Sequence, residues 1–254
     1  MQNYISHLFR LTPDMDKGWL THWGDWAVAI SFISLLHMFV THYEDMKNKK
    51  QLRRVLSLIL PVFLLFRFGV LRGYYTAAEQ WPLYSCNLAA IILAAGYLQT
   101  PKRTAGRDVL NWGIFAGAYG GPLAVVLANP GRFALPHVTH IDYYIGHVAI
   151  TFAGWMLILA REEPYSVRDL KMTSLITVGY LGLCRIVNPL IEGNFGFIMG
   201  PPEAVGFLHA LPLPVYQIFV MTGFLLANAL IWHLANRQIS RSVGTEFASE
   251  HVNA

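Results

Sequence analysis

Apolar positions in this chain gather into seven long runs, separated by short stretches that hold nearly all of the charge. The runs cover about 23–43, 55–75, 81–98, 109–128, 141–160, 172–190 and 215–234. Each is close to the ~20 residues with which a helix, rising ~1.5 Å per residue, crosses ~30 Å of hydrocarbon. A helix is the expected element, because in lipid its backbone groups are satisfied internally. The pattern therefore predicts an all-α polytopic membrane bundle of seven transmembrane helices. It forms a single integral membrane domain over residues 1–254, since no loop exceeds roughly 25 residues and a separate domain needs more.

Within the runs, helix-breaking and small residues mark where the bundle bends or packs closely. Pro61 is expected to kink the second run, and Pro122 to bend the fourth. Pro82 suits a first helical turn at the start of the third. Gly113 and Gly117 make a small-xxx-small pair, which places the fourth helix near the bundle centre. Asn129-Pro130-Gly131-Arg132 reads as a turn. The longest loop, Ile191 to Leu213, is rich in Gly, Pro and Phe and reads as an ordered apolar lid.

Composition agrees with this reading: 54% of the 254 residues are hydrophobic and 13% charged, against about 25% charged in a soluble domain. Mean hydropathy is +0.40. Residues 1–20 lack the unbroken apolar core of a cleavable signal, since Asp14, Asp16 and Lys17 interrupt it. There is no P-loop or CxxC motif. The net charge of +4 does not indicate nucleic acid, because the cations cluster in alternate loops: Lys47 to Arg54, Lys102 to Arg107, Arg161 to Lys171, and Arg237 with Arg241. By the positive-inside rule the N-terminus lies outside and the C-terminus inside. The expected setting is multi-pass in the cell membrane, with membrane lipids as partners, no nucleic acid and no cofactor.

The chemistry-bearing side chains inside the runs concentrate toward the outer ends. Cys86 falls about 7 Å inside the third run and His147 about 9 Å inside the fifth. Arg185 and Asn188 occupy the last turns of the sixth, and Arg67 lies in the second. Ionisable side chains in lipid need a partner or a cavity, so a shared depth predicts a shared pocket. Cys86 is the candidate nucleophile, near a helix N-terminus that favours a thiolate. His147 is the candidate base, as in Cys–His catalysis, and Asn87 or Asn188 the group that orients the imidazole or stabilises an oxyanion. Arg67 and Arg185 are candidates for a lipid phosphate, with Tyr84, Tyr144 and Asn194 in the same substrate-binding group. Plainer readings stand beside these. Cys86 suits helix packing, His147 suits helix–helix hydrogen bonding, and Arg67 suits a structural ion pair. His137 and His140 read as interfacial. His140 and His147, seven apart, share a helical face and raise a zinc reading with Asp142, Glu192, Glu203 or His209, though no HExxH or HxxxH pair anchors it. No metal ligand is assigned.

At Trp81-Pro82-Leu83-Tyr84-Ser85-Cys86-Asn87-Leu88-Ala89, at the run from Pro136-His137 to His147, and at Arg185-Ile186-Val187-Asn188-Pro189-Leu190 with Asn194-Phe195, the chain resembles the YwaF-like integral membrane proteins. Their eukaryotic relatives are the transmembrane-protein-164 family. The resemblance implies a seven-span bundle and an acyltransferase that moves fatty acyl chains between phospholipids through an acyl-cysteine. It assigns Cys86 as acyl acceptor and His147 as general base. Where the family often has a histidine shortly before the cysteine, this chain has Tyr84. The function expected is thus a lipid acyltransferase or transacylase. A non-enzymatic transporter or binding subunit for a small amphiphile is the alternative, and a metal-dependent membrane hydrolase the third.

Overall fold

The computed structural model describes residue 9 and residues 18–43, 46, 49–98, 104–126, 133 and 137–252. The turn expected at 129–132, and the cations Lys17, Lys47, Lys102 and Arg103, lie outside the described residues. Seven α-helices run through them: α1 Gly18–Thr41, α2 Lys49–Leu65, α3 Ser85–Leu98, α4 Thr104–Val126, α5 Val138–Leu159, α6 Val167–Ile191 and α7 Leu213–Val252. Strands are absent among the described residues. Five of these helices are long and apolar enough to cross a membrane: α1, α4, α5, α6 and the Leu213–Arg241 part of α7. The apolar part of α3 is shorter, Ser85–Tyr97, and α2 opens on a basic turn, Lys49-Lys50-Gln51-Leu52-Arg53-Arg54.

α4 is the central post, touching α1, α3, α5, α6 and α7. Lipid gives helices no hydrophobic reason to associate, so close backbone approach supplies the adhesion. The glycines of α4 permit it. A Cβ at Gly113 would stand 2.5 Å from the Ile92 side chain of α3, and one at Gly117 2.9 Å from the Ile150 carbonyl of α5. Gly154 of α5 reciprocates, its Cβ falling 2.8 Å from the Ile114 carbonyl. Buried hydrogen bonds then tie α4 to α6 and α7, where Thr177 Oγ1 accepts from Trp112 Nε1 at 3.1 Å and from Asn228 Nδ2 at 2.9 Å.

The basic end of the bundle is held by aromatic and acidic partners. Arg168 grips Asp108 with two hydrogen bonds of 2.9 and 3.0 Å. Lys49 lies over the Tyr43 ring, Arg53 over Tyr97 and Arg161 over Tyr165. At α6 a capping box joins Ser166 and Asp169, satisfying the first free N–H groups.

Two expected helix ends move. The second run does not stay α-helical to residue 75: α2 gives way at Leu65 to a single π-helical turn, Phe66–Val70, and then a 3₁₀ turn, Arg72–Tyr74. Such π turns are rare and gather at functional sites. The third run becomes helical only at Ser85, so Pro82 sits in the turn before the helix and not in its first turn. Tyr180 of α6 pins that turn by donating to the Leu83 carbonyl at 2.9 Å. Cys86 and Asn87 are consequently in the first turn of α3.

Candidate functional site

The site is organised by the Gly120–Gly121 step of α4, at the end of the bundle opposite the basic one. Cys86 of α3 lies on one flank, its Sγ 3.4 Å from where a Gly120 Cβ would stand. On the other flank is α5: a Gly121 Cβ would stand 2.5 Å from the His147 carbonyl oxygen and would collide with Thr151 Oγ1. Two adjacent residues without side chains thus let the thiol-bearing and imidazole-bearing helices close on the same point of α4. No hydrogen bond joins Cys86 to His147.

His147 is half-buried and its Nδ1 lies 2.6 Å from the Tyr143 carbonyl. A carbonyl only accepts, so Nδ1 carries the hydrogen and the neutral ring offers its Nε2 lone pair. That is the tautomer a general base requires. Asn87, beside Cys86, is buried, and its Nδ2 has no hydrogen-bond partner. An amide donor left unpaired in an interior is costly. Cys86 packs against the buried core cluster to which Tyr119 of α4 and Tyr180 of α6 belong.

Arg67 itself is paired. From the π turn its Nη1 donates to Asp142 Oδ2 at 2.6 Å and to the Tyr75 hydroxyl at 2.9 Å, and Tyr75 donates to the same carboxylate oxygen at 2.7 Å. The ion-pair reading is thus the one the geometry favours for Arg67. Asp142, considered for zinc, is its partner. Among the described residues no three His, Cys, Asp or Glu side chains converge as a metal-ligand set.

The other candidates divide. Tyr84 packs edge-on against Phe195 at 4.9 Å, which brings the 192–212 lid over the start of α3. Asn188 is buried with both ends engaged: its Nδ2 donates to the Phe195 carbonyl at 3.0 Å and its Oδ1 accepts from the Phe195 N–H at 2.8 Å. Asn194 bridges Gly200 and Met199 in the same way. Both asparagines hold the lid, and neither presents a free group to Cys86. Arg185 does not enter the interior. It is exposed on α6, and the Met199 sulfur at 3.9 Å is its hydrogen-bond contact. Tyr144 turns the other way, donating a short hydrogen bond to Asp25 of α1.

That last contact belongs to a cluster the sequence did not reveal. His137 and His140 are both fully buried within the protein. His140 Nε2 lies 2.9 Å from Asp25 Oδ1 and its Nδ1 3.3 Å from the Phe133 carbonyl. His137 stacks on Phe133 at 3.9 Å and caps α5 by accepting from the Thr139 N–H. The signal available was Asp25, a carboxylate at the mouth of an otherwise apolar run, which needs a buried partner.

Five helices long and apolar enough to cross a membrane, packed through glycines, and an all-α architecture point to a membrane protein. The TMEM164 family model matches residues 19–232, and the chain belongs to that family. No curated protein and no solved structure matches it significantly.

Proposed function

We propose that the protein is a membrane acyltransferase that moves fatty acyl chains between phospholipids through an acyl-cysteine at Cys86. One observation carries the reading. At the Gly120–Gly121 step α3 and α5 close on one point of α4, bringing the thiol-bearing Cys86 and the imidazole-bearing His147 to its two flanks, and the residue after Cys86 is a buried asparagine whose amide donor is unpaired.

In the first half-reaction the Cys86 sulfur attacks the ester carbonyl of a donor lipid. The S–C bond forms and the ester C–O bond breaks. His147 Nε2 takes the thiol proton and returns it to the leaving alkoxide, giving a lysolipid. Asn87 Nδ2 stabilises the oxyanion of the tetrahedral intermediate. In the second half-reaction an acceptor hydroxyl attacks the thioester, its proton passes through His147 to the departing sulfur, and the thiol is restored. Asn188 is left to the lid. Arg185, exposed beside the lid, is the cation available to a lipid phosphate.

The remaining features of the reading are seven spans, N-terminus outside, in the cell membrane, and kinship with the bacterial YwaF-like branch. The family membership and the basic loops support them. The test is transfer of a tagged acyl chain between phospholipids by purified protein in liposomes. Cys86→Ala removes transfer, His147→Ala lowers it by about 10²–10⁴-fold, and Asn87→Ala by about 10²–10³-fold. Full turnover by folded Cys86→Ala contradicts the proposal. Amphiphile binding or uptake that survives Cys86→Ser would instead favour a carrier.

A further inference from the structure

A second feature lies outside the acyl-transfer site. Between α2 and α5 runs an open groove of about 390 Å³, within the roughly 300–1,000 Å³ of small-molecule sites. Leu58, Val62 and Phe66 form one wall, and Ile141 and Ile145 the other. The lining is apolar except for Asp142. That side chain is fully buried. Its Oδ2 is engaged by Arg67 and Tyr75, but its Oδ1 has no hydrogen-bond partner from the protein. A buried carboxylate oxygen without a donor is strongly disfavoured, so a donor from outside the chain is called for.

The charge around Asp142 selects the kind of donor. Arg67 neutralises the carboxylate at 2.6 Å, which leaves no net charge to hold a phosphate or an ammonium. What remains unpaired in the lining is one acceptor, Asp142 Oδ1. A hydroxyl donates without carrying charge, whereas an ammonium brings a charge and a phosphate dianion only accepts. The slot itself suits hydrocarbon.

We propose that the α2–α5 groove binds one hydrocarbon chain of a membrane amphiphile whose hydroxyl donates to Asp142 Oδ1. The inference goes beyond acyl transfer and does not depend on chemistry at Cys86. It is tested with full-length protein in liposomes and two photoreactive probes, a diazirine-bearing long-chain alcohol and its methyl ether. The alcohol cross-links within residues 58–66 and 138–145, about tenfold more than the ether, which cannot donate. Ile145→Trp fills the slot from a residue that is 54% exposed, so it removes labelling while the unfolding midpoint stays unchanged. Cys86→Ala leaves labelling intact, which separates loss of this site from loss of acyl transfer. Equal labelling by alcohol and ether, or undiminished labelling of folded Ile145→Trp, overturns the proposal.

Discussion

Alanine substitutions at Gly120 and Gly121 separate two forces that act in opposite directions. Replacing a glycine within a helix by alanine favours the helix by about 1 kcal/mol. At Gly120 the new methyl meets Cys86 Sγ at 3.4 Å, ordinary van der Waals contact, so the helix gain stands. At Gly121 it meets the His147 carbonyl oxygen at 2.5 Å and collides with Thr151 Oγ1. The Thr151 hydroxyl already donates to that same carbonyl at 2.8 Å, and a carbonyl oxygen cannot rotate away. Overpacking costs typically about 1–3 kcal/mol, and fixed backbone puts this site at the upper end. Gly121→Ala is therefore destabilising by about 2 kcal/mol net, while Gly120→Ala is neutral or stabilising. At roughly 2–4 °C per kcal/mol for a chain of this size, the Gly121 variant unfolds roughly 4–8 °C lower. Unfolding in mild detergent gives the midpoints. The rate at which maleimide modifies Cys86, in a Cys184→Ser background, reports the second effect. Gly120→Ala slows modification by covering the thiol without loss of stability. A Gly121 variant as stable as the Gly120 variant would refute the close approach of α4 and α5 on which the site rests.

Other consequences follow from particular contacts. Asp142→Ala strands the Arg67 charge, and loss of one partner of a buried pair costs about 3–5 kcal/mol; the double variant Arg67→Met, Asp142→Leu recovers most of it in the same unfolding assay. Asn188→Ala removes both bonds to the Phe195 backbone and frees the lid, so limited proteolysis within 192–200 accelerates while α6 stays intact. His140→Ala leaves Asp25 with Tyr144 but without its imidazole, and the unfolding midpoint falls by an amount corresponding to about 1–3 kcal/mol.

How much was legible in the sequence depended on the kind of signal. The apolar runs at α1, α4, α5, α6 and α7 mark the five long apolar helices, because a helix in lipid needs a long continuous apolar run and satisfies its own backbone. The central place of α4 followed from Gly113 and Gly117, since small residues four apart open one face. Helix rotation was not legible. Inside a bilayer both faces of a helix are apolar, so periodicity does not say which side meets protein. Arg67 therefore gave no sign that Asp142 was its partner, and His140 none that it faces Asp25. Two breaks were hidden for a different reason. The π turn at Phe66–Val70 and the late start of α3 at Ser85 depend on tertiary contacts, Arg67 with Asp142 and Tyr180 with the Leu83 carbonyl. Asn188 and Asn194 carry the same amide as Asn87. Only their engagement with the lid backbone distinguishes them from the amide whose Nδ2 is unpaired.

The central claim is that Cys86 carries the acyl chain. The direct measurement incubates purified protein in lipid with an alkyne-tagged phospholipid and locates the label by peptide mass. The account predicts a hydroxylamine-sensitive acyl adduct on the peptide containing Cys86, absent from Cys86→Ala and strongly reduced in His147→Ala. Folded protein that turns over lipid with no adduct at Cys86, or an adduct undiminished without His147, would contradict it.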